Sequence, residues 1–211
     1  VAILILSVGI GVSYYVGYRK NLSYIKKAAS VLEEALKPKD QTYTWLGGVI
    51  GFSGEYVVKG FENVHASLFL LPRQSFLYMP IALVTTRYDR LEILFYLKGK
   101  VWNEVHAVQA SEVKRTRIFN EKFLKKEKIQ VGGKDYLLYY RNRNEDVDSF
   151  LGLLGKISEL GLVHMALTPE KSVLYGKFRV KVKEPGLLGE AVRAMGEGAG
   201  GFFLTRRGEK S

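Results

Sequence analysis

Three histidines, His65, His106 and His164, are the side chains best suited by type to general acid–base work or metal binding, since imidazole titrates near neutral pH and ligates through either nitrogen. A hydrolytic zinc site needs paired histidines at helical spacing, or carboxylate support close by. These three lie far apart in sequence, each inside a strand-like run, and read as packing or surface residues. The chain has no cysteine, which removes disulfides, thiolate zinc sites, iron–sulfur clusters and cysteine nucleophiles together. Gly51-Phe52-Ser53-Gly54 lacks the spacing of a nucleophile elbow. A phosphate loop places its glycines after a strand and before a helix. Gly196-Glu197-Gly198-Ala199-Gly200-Gly201 follows a helical run instead, and reads as a flexible connector. Asp146 and Asp148 suit the positive end of a helix better than a calcium loop, because no oxygen-rich twelve-residue stretch surrounds them. The expectation is therefore a protein that is not an enzyme, with no catalytic residue, metal, cofactor or small-molecule substrate.

Charge is the stronger signal. Thirty-two Lys and Arg against 21 Asp and Glu leave a net charge of +11, which favours anionic partners. Lys114, Arg115, Arg117, Lys122, Lys125, Lys126 and Lys128 fall in one segment, interleaved with Ile118, Phe119, Phe123 and Leu124. Such a segment can touch anionic lipid headgroups or RNA phosphates; the equal alternative is a solvated basic face. Arg206 and Arg207, in the tail with Lys210, form a second candidate contact. No RNA-recognition aromatic motif is present, so base-specific reading is not expected.

These residues must be positioned by two kinds of material. Residues 1–18 carry no charge, and Ser7 is the sole polar residue among the first twelve. As a helix they would reach about 27 Å, close to a hydrocarbon core. Tyr14, Tyr15 and Tyr18 suit the headgroup layer, and Arg19, Lys20, Lys26 and Lys27 follow, favouring a cytoplasmic C-terminal side. The expectation is a transmembrane anchor over 1–18. A cleaved signal peptide would put its basic residues first and a small-x-small site after. The chain begins at Val1 rather than Met, which leaves room for more of the segment before it. Gly9, Ser13 and Gly17 recur every fourth residue, a stripe that would let a partner helix approach closely, although glycine is common in membrane helices for its own sake.

Beyond the anchor, Leu22, Ile25, Ala29, Leu32 and Leu36 share a helical face, predicting a juxtamembrane helix within 19–40. Residues 41–205 read as one cytoplasmic domain, and 206–211 as a basic tail. Glycine-punctuated short runs from Tyr43 to Val108 predict strands, with Phe76 to Val84 either strand or short helix. Phe119 to Lys128 is ambiguous. Gly132-Gly133-Lys134 predicts a turn before a strand at Tyr136 to Tyr140. Asn144 predicts a cap for a helix with Phe150, Leu153, Leu154, Ile157 and Leu160 inward and Gly161 as its stop. Strands at Leu162 to Leu167 and Ser172 to Lys183 and a helix near Leu187 to Met195 complete the domain. The fold class expected is α+β: a transmembrane helix, then a mostly antiparallel sheet with two or three packed helices, and a crossover unit around 136–167.

The order of features resembles the calumin family, the coiled-coil-domain proteins of the endoplasmic-reticulum multipass translocon (the PAT complex). The matching stretches are Tyr15-Val16-Gly17-Tyr18-Arg19-Lys20-Asn21, Leu68-Phe69-Leu70-Leu71-Pro72-Arg73-Gln74-Ser75-Phe76-Leu77, the strand and helix of Tyr136 to Leu160, and the strands and helix of Val163 to Met195. The family's acidic luminal region and long basic coiled coil have no counterpart, so the likeness is to a compact form. The resemblance implies a single-pass, translocon-associated membrane protein that assists membrane-protein insertion or folding as an intramembrane chaperone. Its partners would be the Sec translocon or other insertion components, the ribosome, and the anionic membrane surface. The location would be the endoplasmic reticulum in a eukaryote and the plasma membrane in a prokaryote. Two rivals stay open: a membrane-anchored protein-binding scaffold, and a membrane-tethered hydrolase.

Overall fold

Period-two burial marks the central strands of this protein. In strand β4 (Arg90–Leu97), Leu91, Ile93, Phe95 and Leu97 are buried, while Arg90, Glu92, Leu94 and Tyr96 are half-exposed. The computed structural model describes residues 2–204. The other strands are β1 (Asp40–Trp45), β2 (Gly51–Val57), β3 (Phe61–Phe69), β5 (Val105–Gln109), β6 (Lys125–Val131), β7 (Lys134–Tyr140), β8 (Leu162–Thr168) and β9 (Val173–Arg179). They form one nine-stranded antiparallel sheet in the order β1-β2-β3-β4-β9-β8-β5-β7-β6. The α+β class and the antiparallel sheet are as expected.

Helices α1 (Ala2–Leu36), α3 (Glu145–Ile157) and α4 (Pro185–Leu204) cover one face and share the main core with the sheet. α3 links β7 to β8, which lie on either side of β5, so the expected crossover unit is present but split by an inserted strand. The Asn144 side chain accepts from the Val147 N–H, capping α3 as expected. Gly161 ends the following 3-10 turn at φ +86°, where a Cβ would press on the Arg179 carbonyl. On the other face, residues 110–124 fold over a smaller cluster of Val108, Ile118, Leu124 and Tyr139.

Two expectations need correction. The helix predicted from Asn21 is the lower half of one continuous α1, and it packs into the domain rather than standing beside it. Its buried face is Tyr24, Ile25, Ala28, Leu32 and Leu36. The glycine run 196–201 is not a connector, because α4 continues through it. Gly196 lies against the Phe95 ring and a Cβ at Gly198 would overlap Leu153, so these glycines let α4 approach its neighbours closely. The ambiguous segment 119–128 resolves into a 3-10 turn at Glu121–Phe123 and edge strand β6. Residues Phe76 to Val84 contain a short helix, α2 (Met79–Thr85), with a proline in its first turn.

Candidate functional site

The most constrained polar cluster lies where α1 leaves the body. Asn21 sits on the otherwise apolar buried face of α1 and is 1% exposed. Its amide nitrogen donates to the carbonyls of Val49 (3.0 Å) and Leu71 (2.9 Å), and its oxygen accepts from Arg73 (3.1 Å). Arg73 donates through both terminal nitrogens to buried Asp89, at 2.9 and 2.5 Å. Asp89 also accepts the Leu71 N–H (2.8 Å), and its own carbonyl accepts the Val180 N–H (2.8 Å). Helix, loop and sheet are thus cross-tied by hydrogen bonds in a low-dielectric setting, where each is costly to leave unmade. Tyr24 lies beside this network, and its buried hydroxyl has no hydrogen-bond partner among the described residues. Burial, and then the charge of Asp89, hold its pKa above the ordinary phenol value.

Above this clamp α1 stands away from the body. Ile3, Leu6, Val8, Ile10, Val12, Tyr14, Tyr15 and Val16 are all exposed, Ile3 at 82%. Among the described residues, no helix is long and apolar enough to cross a membrane. The stripe Gly9, Ser13 and Gly17 lies along this helix, but its members differ. Gly9 has nothing within 4 Å of where a Cβ would sit, whereas a Cβ at Gly17 would overlap the Arg73 carbonyl. Gly17 is therefore a contact within the chain, not an open notch for a partner.

The seven cations of the basic segment are all exposed, yet they do not form one patch. Lys114 and Arg115 lie in the 3-10 turn Ala110–Arg115, which follows β5, and Arg117 lies just beyond. In the same turn, buried Glu112 faces Arg87 and Arg179, each at 3.7 Å. Lys122 precedes β6, and Lys125, Lys126 and Lys128 line that edge strand. Lys125 is in register with Tyr140, and through it with Val105 and Leu167, at the opposite end of these strands from Gln109. Lys126 is already engaged, 2.6 Å from Glu121 and over the Tyr139 ring. Arg206 and Arg207 lie outside the described residues.

Two of the histidines, distant in sequence, meet across β5 and β8. His106 Nδ1 is 3.3 Å from His164 Nε2, and His106 Nε2 is 3.2 Å from Glu104. Both nitrogens of His106 are thus occupied within the protein. The second oxygen of Glu104 accepts from Asn120 (3.1 Å). Burial, then the neighbouring His106 and Lys177, push the His164 pKa down to about 3. Burial lowers that of His106 as well, with Glu104 opposing. The arrangement can share a proton, and the Tyr175 ring packs edge-on against His164, 5.3 Å between ring centroids. Among the described residues, no group of three or more His, Asp or Glu could hold a metal. His65 stands apart, beside Asn63 and Glu55.

The clamp escaped a reading based on apolar periodicity. Its one legible trace was a polar Asn21 on the helical face of Ile25, Leu32 and Leu36. The trace of the histidine cluster was Glu104 two residues before His106 on extended backbone, which puts both on one face. Compared with known proteins, the chain matches no family model and no curated sequence at a significant level.

Proposed function

We propose that this chain is a membrane-tethered, non-catalytic protein of the calumin type that assists insertion or folding of membrane proteins beside the Sec channel. The observation that carries the reading is the row of exposed apolar side chains from Ile3 to Val16, on a helix clamped to the body through Asn21. At about 1.5 kcal/mol or more gained per buried aliphatic side chain, six such residues with two tyrosines beside them do not stay in water at equilibrium; they need lipid or a protein partner. The proposal rests on this exposure and on the resemblance in feature order, not on span length. In it, α1 lies among lipid and neighbouring transmembrane segments, the sheet domain occupies the cytoplasmic side, and the cations of 114–128 face lipid phosphates or ribosomal RNA.

The test is site-specific photocrosslinking in native membranes, with a diazirine amino acid replacing Val8 or Val12. Crosslinks to Sec-channel subunits or to nascent membrane segments are expected. Crosslinks confined to some unrelated membrane protein would instead favour the anchored-scaffold reading.

A further inference from the structure

From Gln74 to Thr86 the chain has no charged residue. Phe76, Leu77, Tyr78, Ile81, Leu83 and Val84 are all exposed, Leu77 at 77%, and Ala82 is the one buried residue of α2. A seven-residue helix does not stand alone in water, and so dense an apolar run exceeds what an ordinary surface leaves uncovered. Yet the run is held in place at both ends. Arg73 is tied to Asp89 and Asn21, and Arg87 faces Glu112 at 3.7 Å. Its first end also abuts α1, because Gly17 lies against the Arg73 carbonyl. The run therefore begins beside α1, at the level where the exposed apolar part of that helix ends. Exposed cations lie at both ends of the run: Arg19 and Lys20 follow Gly17 on α1, Arg87 closes the run, and Lys114 and Arg115 come just after the Glu112 that Arg87 faces.

The geometry points to residues 76–84 as an interfacial docking element that sinks into the headgroup–acyl boundary of a bilayer containing anionic lipid, beside α1. This inference rests on the membrane-tethering part of the proposed function and is independent of the Sec channel. Lipid fits better than a specific protein groove. The run has aliphatic and aromatic side chains with few polar groups to give directional contacts, and its cationic rim complements lipid phosphates, as in interfacial segments generally. With α1 and residues 76–84 both engaged, the body is held at a fixed height and rotation; α1 alone would leave it free to swivel.

The chain has two tryptophans, Trp45 and Trp102, so a single reporter is made by Leu83→Trp with Trp45→Phe and Trp102→Phe. The full chain is reconstituted in phosphatidylcholine vesicles containing phosphatidylglycerol, and flotation is measured with quenching by acyl-brominated lipid and by aqueous iodide. Flotation is expected, with bromolipid lowering the emission by about half, as a side chain sunk about 5–10 Å into the boundary requires, and iodide having little effect. Retained Trp102, in a Trp45→Phe control, should respond to iodide alone. Flotation with iodide quenching of the Leu83→Trp reporter overturns the docking element and leaves tethering intact. Shielding from both quenchers overturns it in favour of contact with a second protein copy. Failure to float overturns tethering and docking together. Phe76→Trp in the same background gives an independent second reading.

Discussion

Arg73 and Asp89 are joined by two parallel hydrogen bonds, Nη1 to Oδ1 at 2.9 Å and Nη2 to Oδ2 at 2.5 Å, below the point where α1 leaves the body. Their side chains are 17% and 5% exposed, so the carboxylate has almost no water to fall back on and the guanidinium little. Asp89→Ala would strand the guanidinium and free the Leu71 N–H. It should cost about 3 kcal/mol of stability, the usual penalty for removing one member of a buried pair. Arg73→Ala/Asp89→Ala should cost less than the sum of the single changes. Urea midpoints in mild detergent check both statements; additive losses would show that the two residues act separately.

Gly17 and Gly9 look alike in the sequence and should behave in opposite ways. Gly17→Ala drives a methyl into the Arg73 carbonyl, which is backbone and has little freedom to yield. It should destabilise by about 1–3 kcal/mol, as overpacking does. Gly9→Ala meets nothing within 4 Å, and on helix propensity alone should be neutral or gain about 0.5–1 kcal/mol. Thermal melts of the two variants decide it. Equal effects would mean that the close approach at Gly17 carries no weight.

Those elements whose cause is local could be read in advance. The apolar run Leu91 to Leu97, closed by Lys98-Gly99-Lys100, announces β4, and Asn144 with its acidic followers announces α3. What depends on distant partners could not be read. β5 enters between β7 and β8 because it pairs with both, a fact absent from any local window. The glycines of α4 cost helix propensity of about 1 kcal/mol each, so a local reading ends the helix before them. The close packing of Gly196 on Phe95 and of Gly198 on Leu153 overrides that cost. His106 and His164 became a pair, and Asn21 and Asp89 became one network, only through tertiary approach.

The buried histidines should make stability depend on pH. The folded-state pKa of His164 lies near 3 and that of His106 is also lowered, whereas an unfolded histidine titrates at about 6.5. Between those values the unfolded chain binds more protons. The stabilising contribution is therefore complete above about pH 6.5 and falls as pH drops towards the folded values, by at most about 1.4 kcal/mol per pH unit for each histidine. Urea midpoints taken between about pH 7 and 5, where few carboxylates titrate, should fall with acidification. The fall should be shallower in His164→Gln. An identical slope in variant and parent would remove the pair as its cause.

Lys114 and Arg115 should act on a different anion from Lys122 and Lys125. The first two follow Glu112, which faces Arg87 at the edge of the exposed run 76–84, and with that run at the lipid boundary they are the pair expected to meet the bilayer surface. Lys125 lies at the far end of the β5–β7–β6 strands from Gln109, away from the turn that carries the first pair. Near an anionic surface each cation contributes about 1 kcal/mol, so Lys114→Ala/Arg115→Ala should weaken association with phosphatidylglycerol vesicles by roughly thirtyfold at low salt. The difference should shrink as salt screens the surface. Lys122→Ala/Lys125→Ala/Lys126→Ala should leave vesicle association unchanged and weaken salt-sensitive sedimentation with ribosomes. Lys126 should contribute least of the three, since Glu121 already neutralises it at 2.6 Å. If the triple variant instead lost vesicle binding and kept ribosome binding, the body would have to sit on the bilayer by its other end, and the placement of residues 76–84 at the lipid boundary would fall with it.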